Sequence, residues 1–185
     1  MSAGALAPDS PLFRPEKVRL PMDQPVDVAA LNPPPGFHPF EPERFFYGAV
    51  GPMFVRYMGG RVTFGFRVLE KHVNTALICH GGMLFTVMDI QLGLAANVDT
   101  GVDGFFVTVN MTSDFLAPAR LGQWVEASST VVKQTRSLVF GEGRMWADDE
   151  LILRANAVLK VPRELQQFEI NDVLPPEYVP APEGG

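Results

Sequence analysis

The stretch Asn74–Asn97, NTALICHGGMLFTVMDIQLGLAAN, carries the pattern that decides the fold. Residues 83–96 contain no proline, so they can form one helix of about four turns at ~3.6 residues per turn. Apolar residues cover most of its circumference, which is typical of a buried helix. One small or polar stripe interrupts them, formed by Gly82, Thr86, Asp89 and Gly93. Asp89 is the only acid among residues 83–96, and a carboxylate there is costly unless it is paired, hydrogen-bonded or used.

The composition predicts one domain with a substantial core, because 46% of the 185 residues are hydrophobic. The formal net charge of −6 argues against nucleic acid or a membrane surface as partner. The single cysteine, Cys79, excludes an internal disulfide and fits a reducing cytosol. The N-terminus lacks the pattern of a signal peptide. The central run, interrupted by Asp89 and Gln91, is expected to fall short of a membrane span of ~20 apolar residues. We therefore expect a cytoplasmic protein.

The chain divides into three segments. Residues 1–36 contain eight prolines and are predicted to form an extended arm. Residues 37–162 are predicted to be the folded domain, and residues 163–185 a flexible tail that is again rich in proline.

Within the domain, hydrophobic periodicity predicts a short helix near Glu41–Tyr47, a hairpin and a later block of strands. The hairpin joins Met53–Met58 to Arg61–Leu69 through two glycines, which tolerate the positive φ angles of a tight turn. The later strands are predicted at Phe105–Leu116, Trp124–Lys133, Ser137–Ala147 and Leu151–Val161. In the first of these, Thr108, Asn110 and Thr112 are predicted to share one face. This pattern predicts an α+β fold in which a curved antiparallel sheet wraps around the central helix.

The order of motifs resembles a known family. A hairpin, the motif Asn-x5-His-Gly-Gly-x6-Asp on the central helix and a run of long strands are similar to the hotdog-fold acyl-CoA thioesterases of the PaaI-like type, over about Phe45–Val161. The resemblance implies a hotdog fold, hydrolysis of an acyl-CoA to free acid and CoA without metal or organic cofactor, and self-association as a homodimer or a dimer of dimers. One departure is local: similar sequences have Asn-Pro-x-Gly where this chain has residues 74–77, NTAL, so the loop is expected to differ in shape.

The resemblance also implies roles for individual residues. Asp89 would be the general base that activates water, with the nucleophile as the alternative role. Asn74 and Gly81 would polarise the thioester carbonyl, and His80 would lie near the carbonyl or the leaving thiolate. Thr108 matches the position of a Ser or Thr that helps to hold the water. In addition, the N–H groups of Gly81 and Gly82 are expected to be unpaired at the helix start, where an oxyanion is favoured.

Each assignment has a structural alternative. The two glycines could merely permit a tight turn, His80 could cap the loop, and Asn74 could be an ordinary turn residue. Asp89 could be satisfied by the backbone or by Asn110. Cys79 is interpreted as a buried small hydrophobe rather than a nucleophile.

Substrate-binding candidates follow the same logic. Arg120, Lys133 and Arg136 are predicted at strand ends and turns, where they could contact CoA phosphates, although solvated surface charge is an alternative. Phe85 and other nearby aromatic and methionine residues could line an acyl pocket or simply pack in the core. Two functional alternatives remain open: a non-catalytic acyl-CoA-binding hotdog protein, and a hotdog hydratase or dehydratase.

Overall fold

The computed structural model describes residues 27–40, 46–102 and 104–162. The helices are α1 Phe46–Val50 and α2 Gly81–Thr100, with two short 3-10 turns at Ala29–Leu31 and Glu70–His72. The strands are β1 His38–Phe40, β2 Met53–Met58, β3 Arg61–Arg67, β4 Val107–Phe115, β5 Trp124–Gln134, β6 Leu138–Ala147 and β7 Glu150–Lys160.

The seven strands form one antiparallel sheet in the order β1-β2-β3-β5-β6-β7-β4. Helix α2 packs on the inner face of this sheet, where buried residues of the helix and the strands form one core. Gly143 of β6 permits the close approach, because a Cβ at this position would overlap the sulfur of Met88. The α+β hotdog architecture predicted from the sequence is therefore confirmed.

The hairpin and the central helix match their predictions closely. Gly59 and Gly60 turn with φ angles of 61° and 74° between β2 and β3. Helix α2 is longer than residues 83–96 and ends where Gly101 adopts the left-handed conformation of a C-terminal cap. Within the described residues the first helix covers Phe46–Val50, so it extends past the predicted end at Tyr47; residues 41–45 of the predicted helix lie outside the described part.

The membrane expectation for the central run was wrong in one respect. At 20 residues, α2 is long and apolar enough to cross a membrane by length and composition alone. In this fold it is the core helix, and 56% of its most apolar window is buried inside the protein. Core helices often have the same length and composition.

Strand β4 departs from the predicted alternation. Its register against β7 shifts between Thr108 and Asn110, which is a β-bulge. The bulge places Thr108 on the face toward α2, where it contacts Asp89. After the bulge, Asn110 and Thr112 lie on the opposite face of the strand. The prediction that these three residues share one face was wrong, and Asn110 is not the partner of Asp89.

The last part of the predicted arm packs on the outer face of the sheet. Leu31 is buried against Phe37, Phe54 and Trp124. The Arg67 guanidinium donates hydrogen bonds to the carbonyl oxygens of Leu31 and Asn32, at 2.6 and 2.8 Å. The rest of the predicted arm, residues 1–26, and the predicted tail, residues 163–185, lie outside the described residues.

Gln91 is the fully buried polar side chain of α2, and its amide is fully engaged. Its Oε1 accepts from the Phe64 N–H at 2.8 Å, and its Nε2 donates to the Val62 carbonyl at 2.9 Å and to the Ser129 hydroxyl at 3.1 Å. These bonds join the helix to β3 and β5. The residue that interrupts the apolar run in sequence thus fixes the helix on the sheet.

Replacing Gln91 with leucine is expected to lower the free energy of unfolding by about 3 kcal/mol, because buried backbone groups of Val62 and Phe64 lose their partners. Urea unfolding followed by circular dichroism measures the change. Ser129→Ala, which removes one partner of the amide, is the control, with an expected loss of about 1 kcal/mol. A leucine variant as stable as the wild type would contradict this account.

Candidate active site

The start of α2 is capped by His80. Its Nδ1 accepts a hydrogen bond from the Gly82 N–H at 2.9 Å, while its carbonyl oxygen accepts from Met83 and Leu84. A Cβ at Gly82 would lie 3.0 Å from the His80 Nδ1, so any larger residue would crowd this cap. The expectation that the Gly82 N–H is unpaired was therefore wrong. The His80 ring caps the helix, which is the structural alternative given for this residue.

Gly81 keeps an unpaired N–H. Among the residues that the structure describes, it donates no hydrogen bond. The Phe115 ring of β4 packs beside Gly81, because a Cβ there would lie 3.3 Å from two ring carbons. Phe115 itself is half-exposed. The helix start thus presents one free donor next to an aromatic surface, and the positive end of the helix dipole favours an oxyanion at this point.

Asp89 lies about two turns after Gly81 on α2 and is partly exposed. Its carboxylate accepts a hydrogen bond from the Thr108 hydroxyl at 2.7 Å. The structure therefore brings together two of the residues predicted for the site. Because the hydroxyl donates to Oδ1, the second carboxylate oxygen remains available to a water molecule.

Tyr47 of α1 is a neighbour of Asp89 that the sequence did not indicate. Burial raises the pKa of the Tyr47 phenol, and the negative charge of Asp89 raises it further. The ring is held by an edge contact with Phe40, with centroids 5.5 Å apart. A tyrosine in a short predicted helix gave no signal, because its proximity to Asp89 depends on how α1 packs against α2.

The candidate base and the free donor are far apart within one chain. Gly81 and Asp89 are eight residues apart on the same helix, which corresponds to about 12 Å along its axis. Within one chain the two groups therefore lie about two helical turns apart.

The loop before α2 is closed by a bridge between Val73 and Cys79. The Asn74 Oδ1 accepts a hydrogen bond from the Ala76 N–H at 2.9 Å, which forms an Asx turn. The side-chain oxygen of Asn74 therefore has the turn role given above as the structural alternative. Within the described residues the Asn74 amide nitrogen makes no hydrogen bond. Leu77 has a φ of 60° and stands where similar sequences have glycine, so the loop keeps a glycine-like conformation with an exposed leucine at its tip. The expected difference in the shape of this loop stays a prediction.

Comparison with known proteins identifies the family. The profile of the thioesterase superfamily matches residues 78–153. A Pseudomonas aeruginosa protein that bears the name of an esterase is 32% identical over 133 residues, which cover 71% of this chain and 99% of that protein. This chain belongs to the thioesterase superfamily. Human acyl-coenzyme A thioesterase 13 is 32% identical over 82 residues, which are 44% of this chain and 57% of the human protein.

Solved structures of similar proteins have the same fold as this chain. A mutant of the phenylacetic acid degradation protein PaaI from Thermus thermophilus superposes with a TM-score of 0.56 at 22% identity, covering 63% of this chain and 98% of that one. At that identity the likeness shows the hotdog fold. Hydrolysis of a thioester is the reaction class that the family supports.

The predicted phosphate contacts of this thioesterase-superfamily chain are not gathered in one place. Arg120 precedes β5, whereas Lys133 and Arg136 lie at its far end and in the following turn. Since β5 has 11 residues, its two ends are about 35 Å apart along the strand, with Arg120 before one end and Lys133 and Arg136 near the other. Phe85 is 38% exposed and lies one turn before Asp89, so it borders the candidate base rather than filling the core.

Cys79 is buried, and burial raises the pKa of its thiol to about 12. A thiol that stays protonated at neutral pH is a poor nucleophile. This agrees with its interpretation as a small hydrophobic residue.

A cleft of about 270 Å³ opens beside the helix start, between α1, the 3-10 turn at Glu70–His72 and the first turns of α2. Its wall is partly built by His72, which is buried and neutral. The His72 Nδ1 accepts from the Leu69 N–H at 3.1 Å, so its Nε2 carries the proton and donates to the Val50 carbonyl at 2.8 Å. Burial lowers the pKa of His72 to about 4.

This depressed pKa predicts a loss of stability in acid. The unfolded chain takes up a proton near pH 6.5, while folded His72 does so only near pH 4, so the unfolded state binds more protons between these values. Stability from this residue is complete above pH 6.5 and falls by about 3 kcal/mol by pH 4. Urea unfolding between pH 7 and pH 4 measures this loss in the wild type and in His72→Gln. Both proteins share the same carboxylates, so the difference between their pH slopes is the contribution of His72. Identical pH slopes in the two proteins would contradict it.

Proposed function

We propose that this protein hydrolyses acyl-CoA thioesters to a carboxylic acid and free CoA, as a homodimer or a dimer of dimers. The observation that carries the proposal is the Asp89 carboxylate, oriented by Thr108 on an exposed stripe of an otherwise buried helix. The thioesterase superfamily membership supports the reaction class, and the name of the human relative supplies CoA as the thiol.

In this proposal, water attacks the thioester carbon while Asp89 takes its proton. The developing oxyanion accepts a hydrogen bond from the Gly81 N–H, with the Asn74 amide as a second donor. The carbon–sulfur bond then breaks, CoA leaves as a thiolate, and the proton held by Asp89 returns to the sulfur. Thr108 keeps one carboxylate oxygen occupied, so the other is directed at the water.

The separation of Gly81 from Asp89 supports a site shared by two chains, with the donor from one protomer and the acid from the other. The exposed stripe of α2 is one surface available for that contact. Strand β4, at the edge of the sheet, is another: Val107 and Val109 are 52% and 59% exposed and apolar. An unprotected apolar edge strand favours pairing with another chain.

The test is release of thiol from a panel of alkyl- and aryl-CoA thioesters, measured together with the mass in solution by analytical ultracentrifugation. We expect turnover by a dimer or larger assembly. Binding of acyl-CoA without thiol release on any member of the panel would replace the enzyme with an acyl-CoA-binding protein. Addition of water to an enoyl-CoA would favour a hydratase instead.

A further inference from the structure

The cleft beside the helix start has one apolar wall and one charged group. Phe46, Ala49 and Val50 of α1 face Met83 and Thr86 of α2 across it. Lys71, from the 3-10 turn, is the one lysine or arginine among the described residues that line the cleft. A mostly apolar cleft with a few placed polar groups is the usual form of a small-molecule site.

Lys71 is partly buried, and within the part of the chain that the structure describes it makes no ion pair. Among the described residues the ion pairs join Arg56 to Glu126 and Arg154 to Asp114, and neither involves Lys71. Burial lowers the pKa of its amine, so holding the charge in the cleft is costly. The neighbouring His72 ring uses both nitrogens in backbone hydrogen bonds and offers no acceptor. An ammonium in such a place favours an anionic ligand.

The cleft also adjoins the proposed reaction centre. Its lining includes His80 and Gly82, which flank the free N–H of Gly81. An acyl group whose carbonyl oxygen is held by that N–H lies beside the mouth of the cleft. The cleft thus adjoins the point at which the thioester carbonyl would be held.

Resting on the proposed function, we propose that this cleft binds acyl groups that end in a carboxylate, and that Lys71 pairs with that carboxylate and sets the specificity. The thiol half of the substrate fits the cleft poorly: the phosphates of CoA carry several charges and are normally held by several cations at a surface, whereas the cleft offers one. A neutral acyl chain would leave the ammonium unpaired. The substrate class is therefore the CoA half-thioesters of dicarboxylic acids.

The experiment compares acyl-CoA pairs of equal carbon count, from four to six carbons, that end either in a carboxylate or in a methyl group. We expect wild type to favour the carboxylate member by about tenfold in kcat/KM, mainly through KM, because a charge-assisted hydrogen bond is gained on binding. Lys71→Met should abolish the preference and Lys71→Arg should retain it. Lys160→Met, an exposed lysine of β7, is the matched control and should leave the preference intact.

Two further arms separate the outcomes. Non-hydrolysable thioether analogues of the same pairs measure the preference by binding, so lack of turnover would remove the proposed function while the cleft is still tested. Thioesters of a phosphate-free pantetheine fragment test the alternative anion. If Lys71→Met weakens carboxylate and methyl members equally, and only with intact CoA, Lys71 contacts a CoA phosphate and the proposal falls. It also falls if wild type turns over or binds both members equally.

Discussion

Asp89→Asn is expected to lower the rate of thiol release by about a hundredfold or more, since general-base catalysis typically contributes that much. The amide has nearly the same shape as the carboxylate, and its oxygen can still accept from the Thr108 hydroxyl. Folding should therefore be kept while the base is lost. Measurement of kcat and KM on the best substrate of the panel should show the loss in kcat.

Asp99→Asn is the matched control for that variant. Asp99 is on the same helix, and its carboxylate accepts from the Val131 N–H at 2.8 Å, which an asparagine oxygen can also do. We expect near wild-type turnover from it. Thr108→Val should give an intermediate loss of about tenfold, because Asp89 loses the group that orients it. An Asp89→Asn protein that keeps most of its activity would show that the acid is structural.

The predictable part of the fold was the part in which periodicity and burial agree. Val62, Phe64 and Phe66 alternate with polar or small residues in sequence and are all buried in β3, so the hairpin followed from a period of two. The apolar run of α2 was equally explicit. In β4 the same rule failed, because one bulge between Thr108 and Asn110 changes which side chains face the helix, and bulges leave little trace in sequence.

For the candidate site, the sequence indicated residues but little of their geometry. Asp89 and Thr108 were both predicted, and the structure joins them by a hydrogen bond, while their catalytic roles and that of Gly81 stay predictions. The hydrogen bond from the Gly82 N–H to the His80 ring could not be predicted, because it depends on the backbone angles of His80, φ −62° and ψ 133°. Tyr47 and Phe115 reach the site from elements distant in sequence, so only tertiary packing reveals them.

Gly81→Pro is expected to lower kcat by a factor of about a hundred to a thousand, because it deletes the one free donor at the helix start. Proline suits this position: it is the first residue of α2, where no intrahelical bond is lost, and His80 before it already has the extended ψ that precedes proline. Gly81→Ala is the matched control, since it places the same Cβ against the Phe115 ring but keeps the N–H. Alanine should therefore retain most of the activity.

The same variant tests whether two chains share one site. If Gly81 of one protomer acts with Asp89 of the other, co-refolding equal amounts of Gly81→Pro and Asp89→Asn makes mixed dimers in which one site has both wild-type residues. Half of the dimers are mixed and each holds one complete site of two, so about a quarter of wild-type activity should return from two inactive proteins. A site built by one protomer alone cannot produce this recovery, because every chain in the mixture carries one of the two substitutions. If the mixture stays inactive although mass measurement shows mixed dimers, Gly81 and Asp89 do not act together across two chains, and the shared site is overturned.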